Sequence, residues 1–123
     1  STSRRQRQMC IRDSCCIDAG GWTFETPMAS LAMGSQVRLR VLARDVSIAV
    51  EKPDSISIRN RLQAEVEEIA AHLSEPAYQL VKLKCPNGEG RLVSRILRQS
   101  VTELGLHPGS QVWALVKASA VIM

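Results

Sequence analysis

Ser57 and Arg59 are the residues whose types and spacing most directly suggest a chemistry. Apolar and polar residues alternate from Ile56 to Ile69, which predicts a long β-strand, and residues two apart on a strand project from the same face. The serine would offer a hydroxyl donor, and the arginine a planar charged group whose N–H donors match the oxygens of an oxyanion. A solvated strand edge with a surface arginine explains the same two residues, so the pair needs support from elsewhere in the chain.

A second set of donors lies near the end of the chain. The alternation from Gln111 to Ile122 predicts a final strand, on which Lys117 and Ser119 share a face with the Ala118 backbone between them. An ammonium group and a hydroxyl are again donors for an anion. The alternative is an ordinary lysine at a strand end.

Ser100 has two possible roles. Ser100 and Glu103 have the spacing of a capping box for a short helix, which Gly105 would end. As the N-cap, the serine would stabilise this helix by about 1 kcal/mol. The N–H groups at a helix N-terminus also favour an anion. The sequence alone favours the capping role.

The chain shows no arrangement typical of catalysis or of a metal site. The histidines and the isolated carboxylates lack partners at a useful spacing: His72, His107, Asp45 and Glu51. The phosphate-binding motif G-x-x-x-x-G-K-[ST] is absent, so ATP binding by a P-loop is excluded for this chain. We therefore predict that the chain is not an enzyme and ligates no metal.

The segment from Arg4 to Asp13 (RRQRQMCIRD) matches one reading frame of a widely used transposase sequencing adapter, with Ser14 spanning the join. We expect this segment to be foreign to the fold. A natural basic, disordered arm is the alternative. The segment carries +3 of the formal net charge of +4, so the pI of about 9.2 does not argue for nucleic-acid binding. If the segment is foreign, the true N-terminus is unknown and the chain is a fragment.

Composition narrows the protein class further. Aromatic residues make up only 3% of the chain, so the core must be aliphatic. No apolar run approaches the roughly 18 residues of a membrane helix, and we expect no signal peptide, since nothing near the start combines basic residues with an apolar stretch. Outside the suspected foreign segment, Cys15, Cys16 and Cys85 form neither a disulfide framework nor a zinc pattern. A cytoplasmic protein with reduced cysteines is the expected class.

Turn signals divide the chain into three parts. Residues 1–16 are predicted to be an artefactual or disordered tail. Residues 17–53 contain short strand patterns around Trp22–Phe24, Val37–Leu42 and Val46–Val50, which predict a partial OB-like unit ending at a turn. Residues 54–123 contain several strands and one short helix. This pattern predicts an all-β fold, with a small Greek-key barrel of the OB type.

Three stretches of the last part match a known family in order and spacing. SIRNRL begins at Ser57, LVSRILRQSVTELGL begins at Leu92, and SQVWALVKAS begins at Ser110. Together they resemble the Mop domain, a small barrel that binds molybdate or tungstate. Such oxyanions are held by hydrogen bonds rather than by metal ligation, which suits a site built from hydroxyls, N–H groups and cations.

The resemblance implies oxyanion-binding roles for seven residues: Ser57, Arg59, Asn60, Ser100, Lys117, Ala118 and Ser119. Asn60 fits the family pattern better as a local hydrogen-bonding residue than as a ligand. Leu97 departs from the family, since many members have threonine there, and one hydroxyl donor is therefore missing.

The preceding stretch from Val37 to Pro53 (VRLRVLARDVSIAVEKP) resembles the C-terminal TOBE region of the ATP-binding subunit of molybdate ABC importers. This resemblance implies a lost upstream ATPase, a homodimer formed through the Mop domains, and a membrane subunit as partner of the full-length protein. It also implies a cytoplasmic location at the inner membrane and a regulatory role in sensing the oxyanion. The alternatives are a free-standing molybdate-binding or storage protein, or a molybdate-responsive transcription regulator. An OB-fold nucleic-acid binder is a distant alternative, because the aromatic residues are scattered and the corrected charge is near neutral.

Overall fold

The computed structural model describes residues 2–11, 14–27 and 38–122. These residues form antiparallel strands in two sheets and one short α-helix, so the predicted all-β class is confirmed. The elements are β1 (Thr2–Ile11), β2 (Ser14–Ala19), β3 (Trp22–Pro27), β4 (Arg38–Arg40), β5 (Ser47–Ala49), β6 (Asn60–Ala71), β7 (Tyr78–Lys84), β8 (Arg91–Leu97), α1 (Arg98–Leu104) and β9 (Gln111–Val116). Two 3₁₀ turns, Ala43–Asp45 and Ala118–Ala120, precede β5 and follow β9.

The five-stranded sheet has the order β5-β9-β6-β7-β8, and its long strand β6 links two halves. The first half of β6 pairs with β9 and the second with β7, with an irregular register between Val66 and Glu68. Such an irregularity bends a strand and increases its twist. The sheet curls far enough for Ser94 on β8 to donate its hydroxyl to the carbonyl of Val46, next to β5, at 2.5 Å. This contact joins the two outer strands, so the curled five-stranded sheet forms a small barrel.

The four-stranded sheet has the order β3-β2-β1-β4. It therefore includes the backbone of Thr2–Ile11, for which the sequence predicted an artefactual or disordered tail. The physical reason for the pairing is that β2 and β4 would each leave backbone groups unpaired along one edge, and β1 supplies their hydrogen-bond partners. Strand pairing does not test the origin of residues 4–13, which stays a prediction. The predicted turn at Gly34–Ser35 lies outside the described residues.

The two sheets share one hydrophobic core. Ile17 and Phe24 from the first sheet are buried in the same cluster as Val66 and Leu83 from the second. The indole Nε1 of Trp22 also donates to the carbonyl of Gln63 at 2.8 Å. Because of this packing, β3 is held beside β6 and close to the segment that carries Ser57 and Arg59.

The turn between β2 and β3 lies against the turn between β7 and β8, where the Gly90 N–H donates to the Gly20 carbonyl at 2.8 Å. Gly20 has φ +61°, and a Cβ added there would lie 2.4 Å from the Cα of Gly90. Gly105 has a similar φ of +63° but open space around it. We expect Gly20→Ala to lower the free energy of unfolding by about 2 kcal/mol, from backbone strain plus the clash. Gly105→Ala should cost about 1 kcal/mol, from strain alone.

Urea unfolding of both variants checks this prediction. Equal losses would mean that the turns separate without cost, so that their contact adds nothing to stability.

On the outer face of the barrel, Glu65 accepts a hydrogen bond from Gln111 and pairs with Lys84, and we expect these contacts to make stability depend on pH. The pKa of Glu65 is lowered from 4.5, first by the hydrogen bond from Gln111 and then by Lys84. A lowered folded-state pKa stabilises the protein above the unfolded-state pKa, and this stabilisation is lost as the pH falls through the folded-state value. We therefore expect Gln111→Ala to destabilise the protein at pH 7 and to matter less at pH 3. An NMR titration should show the Glu65 midpoint rising in this variant, and an unchanged midpoint would contradict the assignment.

Candidate functional site

The candidate donors Arg59 and Lys117 lie at the same end of the β6–β9 pair. Asn60 on β6 is paired with Val116 on β9, and this is the last pair of the ladder. Arg59 immediately precedes Asn60, and Lys117 immediately follows Val116. The pairing therefore brings together two short segments that are distant in sequence.

The prediction that Ser57 and Arg59 lie on a strand is wrong. Strand β6 begins at Asn60 rather than at Ile56, because β9 offers no pairing partner beyond Val116. Ser57 and Arg59 are both exposed and belong to the irregular segment before β6, in which Ser55 has a positive φ of 57°. Their relative position is set by this segment and its contacts rather than by strand geometry.

Asn60 connects the start of β6 to β3. Its side chain is buried, its Nδ2 donates to the carbonyl of Glu25 at 2.9 Å, and its Oδ1 accepts the Glu25 N–H at 2.6 Å. Both ends of the amide are thus used to satisfy backbone groups of β3, as the sequence interpretation of a local hydrogen-bonding residue expects.

The prediction of a final strand as far as Ile122 is also wrong. Strand β9 ends at Val116, and Ala118–Ala120 form a 3₁₀ turn in which the Ala120 N–H donates to the Lys117 carbonyl at 2.9 Å. Beyond the ladder the chain turns, and Ile122 exchanges two backbone hydrogen bonds with Arg40. Lys117 and Ser119, both exposed, therefore do not share a strand face.

Lys117 lies at a cleft of about 210 Å³. The lining residues are Arg44, Asp45, Ser47, Ile58, Leu115, Lys117 and Ala120. Ile58 places the Ser57–Arg59 segment at the edge of this cleft. The charged and hydroxyl residues of this lining are Arg44, Lys117, Asp45 and Ser47, so its formal charge is positive, which suits an anion.

Arg44 and Ser47 line this candidate cleft, although the sequence pointed to neither of them. The available signal was the interruption of the strand pattern at Arg44–Asp45, where the structure has a 3₁₀ turn. The interruption suggests irregular backbone but not a site, because only the tertiary packing places this turn beside Lys117.

The prediction that Ser100 caps the helix is wrong. Helix α1 begins at Arg98, so Ser100 is its third residue, and the N-cap position is Leu97. The reason is that the chain enters the helix directly from β8, and the Arg98 N–H donates to the carbonyl of Ala77 at 2.9 Å. The end of the helix at Gly105 is as predicted, with Gly105 in the left-handed conformation.

Ser100 lies at the other end of the barrel from Lys117. Leu97, where β8 meets α1, is paired with Tyr78, and the neighbouring Gln79 is paired with Ala71 at the end of β6. Within one chain, the structure therefore places Arg59 and Lys117 at one end of the barrel and Ser100 at the other.

Contacts within the fold engage His72, Trp22 and Phe24. The ring of His72 accepts the N–H groups of Ser74 and Glu75 in the loop after β6. Trp22 and Phe24 are buried against each other, so their rings are not available to stack on bases. Among the described residues, no three of the metal-ligating types cluster, and no helix has the length and apolarity of a membrane span.

Comparison with known proteins connects this geometry to a family. The model of the TOBE domain matches residues 56–123. The molybdenum import ATP-binding protein ModC of Brucella abortus (strain 2308) is 45% identical over 105 residues, which cover 85% of this chain and 28% of that protein. The ModC 1 protein of Azotobacter vinelandii is 44% identical over 92 residues, which cover 74% of this chain and 24% of that protein. The chain thus spans about a quarter of the length of these relatives.

A solved structure shows the same fold. The cytoplasmic molybdate-binding protein ModG, in a form with molybdate bound, superposes with a TM-score of 0.80 at 24% identity. The match covers 99% of this chain and 93% of that one. With the family match extending over more than half of its length, the chain belongs to the TOBE domain family.

Proposed function

We propose that this chain is an oxyanion-binding regulatory region of a molybdate importer's ATP-binding subunit, and that its ligand is molybdate or tungstate. The observation that supports this most strongly is the cleft at the end of the β6–β9 pair, where Lys117 and Arg44 face one space beside the Ser57–Arg59 segment. The ModC relatives, which are named as molybdenum import proteins, support the choice of ligand.

The cleft suits the chemistry of the ligand. Molybdate is a tetrahedral dianion, and a protein holds it by donating hydrogen bonds from hydroxyls, N–H groups and cations. Ser47 offers a hydroxyl in the lining and Arg44 and Lys117 offer charged donors, while Ser57 and Arg59 flank the lining residue Ile58. Asp45 is an acceptor in the same lining, and Arg44 and Lys117 keep the net charge positive.

A complete site would require a second copy of the chain. Ser100 and Leu97 lie at the far end of β6 from Lys117, so one anion cannot contact both ends of the same barrel. We propose a homodimer in which the α1 end of one copy faces the Lys117 end of the other. Size-exclusion chromatography with light scattering, run with and without molybdate, measures whether the protein is a monomer or a dimer. A monomer under both conditions would contradict the proposed pairing.

The regulatory role follows from linkage. If molybdate binds one arrangement of two paired importer subunits better than another, it shifts their population toward that arrangement. We propose that the full-length protein works in the cytoplasm, in contact with the transporter's membrane subunit, and that the bound anion reduces import. An ATPase sequence upstream in the same reading frame would support this assignment.

A free-standing molybdate-binding protein is the second candidate. The match to ModG favours it, because that match extends over nearly the whole of both chains. Both candidates place the same ligand in the same fold. They differ in whether an ATPase is attached, and the upstream sequence distinguishes them.

Titration calorimetry with molybdate, tungstate and sulfate tests the proposed ligand. We expect molybdate and tungstate to bind and sulfate, which is smaller, to bind more weakly. Equal binding of all three anions, or no binding of any, would show that the cleft is not a selective oxyanion site.

A further inference from the structure

Glu25, on β3, contacts the candidate anion-binding arginine. The Nε of Arg59 donates to Oε2 of Glu25 at 3.0 Å. Glu25 lies in the first sheet and outside the residues 56–123 that the TOBE family model matches. The contact therefore links the candidate site to a part of the chain that the family assignment does not include.

The backbone of Glu25 is fixed by the residue next to Arg59. The buried Asn60 amide bonds both the N–H and the carbonyl of Glu25, at 2.6 and 2.9 Å. Two consecutive residues, Arg59 and Asn60, are thus attached to the same residue of β3. Because its N–H and its carbonyl are both hydrogen-bonded to Asn60, the main chain of Glu25 has a fixed position. The Glu25 carboxylate therefore extends toward Arg59 from this fixed main chain.

The other end of the Arg59 guanidinium faces outward. The arginine side chain is 62% exposed, whereas that of Glu25 is 22% exposed. Among the residues that the structure describes, the Nη atoms of Arg59 have no hydrogen-bond partner. A guanidinium has five N–H donors, and the bond to Glu25 uses only the one on Nε. The four donors on the Nη atoms therefore stay available to a ligand.

We propose that Glu25 is a positioning residue, which orients Arg59 through Nε so that its Nη donors point to the oxyanion. This inference rests on the proposed function. Ordering a long side chain on binding reduces affinity, and a side chain that is already ordered avoids this loss. The negative charge of Glu25 acts in the opposite direction, since it repels a dianion. The two effects can be separated, because glutamine keeps the acceptor and removes the charge.

The test compares Glu25→Gln with Glu25→Ala by molybdate calorimetry. Both variants are neutral at this position, and only glutamine retains an oxygen that can accept from Nε. We expect Glu25→Ala to bind molybdate about fivefold more weakly than Glu25→Gln, which is the typical effect of ordering one long side chain. In an Arg59→Ala background this difference should disappear. Glu68, which pairs with Lys82 on the outer face, is the matched control, and its Gln and Ala variants should bind equally.

The outcomes distinguish a failure of the proposed function from a failure of the positioning role of Glu25. If molybdate does not bind the unaltered protein, the proposed function fails and Glu25 has no role to perform. If Arg59→Ala reduces binding but Glu25→Gln and Glu25→Ala bind equally, the function stands and the positioning role is refuted. A difference that persists without Arg59 would also refute it, since Glu25 would then act through the fold. Thermal melts and the NMR signal of the Arg59 Nε–H show whether each variant is folded and whether the arginine remains held.

Discussion

Replacement of Lys117 by alanine should weaken molybdate binding by about 30-fold, which corresponds to about 2 kcal/mol. The lysine supplies one of the two cations of the cleft, and a charge-assisted contact to a dianion is worth at least this much where the site is partly shielded from water. Calorimetry at fixed ionic strength measures the change. Lys82→Ala is the control, because Lys82 is an exposed lysine in an ion pair on the outer face of the barrel.

Arg59→Ala should reduce affinity by a similar factor, because it removes the donors that face outward from the Glu25 contact. The two substitutions together test the location of the site. If both variants bind molybdate like the unaltered protein, the anion binds elsewhere, even if the ligand itself is correct.

Asn60→Ala should lower the free energy of unfolding by about 3 kcal/mol, since it removes both hydrogen bonds from the Asn60 side chain to the backbone of Glu25 and each such loss costs about 1 to 3 kcal/mol. The same substitution should detach β3 from the start of β6. Urea unfolding measures the loss, with Gln63→Ala, an exposed position on β6, as the control. A loss below about 1 kcal/mol would show that water replaces the amide at this junction.

The strands that sequence analysis located best are those whose pattern comes from one buried face. On β6, Leu62, Ala64 and Val66 are buried and alternate with less buried residues, as the apolar alternation predicts. The helix end at Gly105 was also predictable, because a left-handed C-terminal residue favours glycine. The buried face of β6 follows from the order of apolar and polar residues, and the helix end follows from a single glycine. Both can therefore be predicted from the residue types.

The ends of the strands were not predictable in the same way. The apolar alternation continued before Asn60 and beyond Val116. The β6–β9 ladder nevertheless stops at this pair, because the chain after Val116 enters the 3₁₀ turn Ala118–Ala120. The start of α1 was misplaced for a similar reason, since the contact of Arg98 with Ala77 across β7 and β8 begins the helix before the capping signal at Ser100. The geometric arguments for Ser57 with Arg59, and for Lys117 with Ser119, therefore failed although the residue types suited an anion.

The sequence by itself determined the β-rich fold and the family, because alternating burial and three short segments are properties of the chain read in order. Only the tertiary structure decided which donors meet. Arg59 contacts Glu25 from 34 positions away, and Lys117 and Arg44 line the same cleft. The physical reason is that strand pairing and core packing bring distant residues together, and no local pattern encodes which residue will lie on the other side.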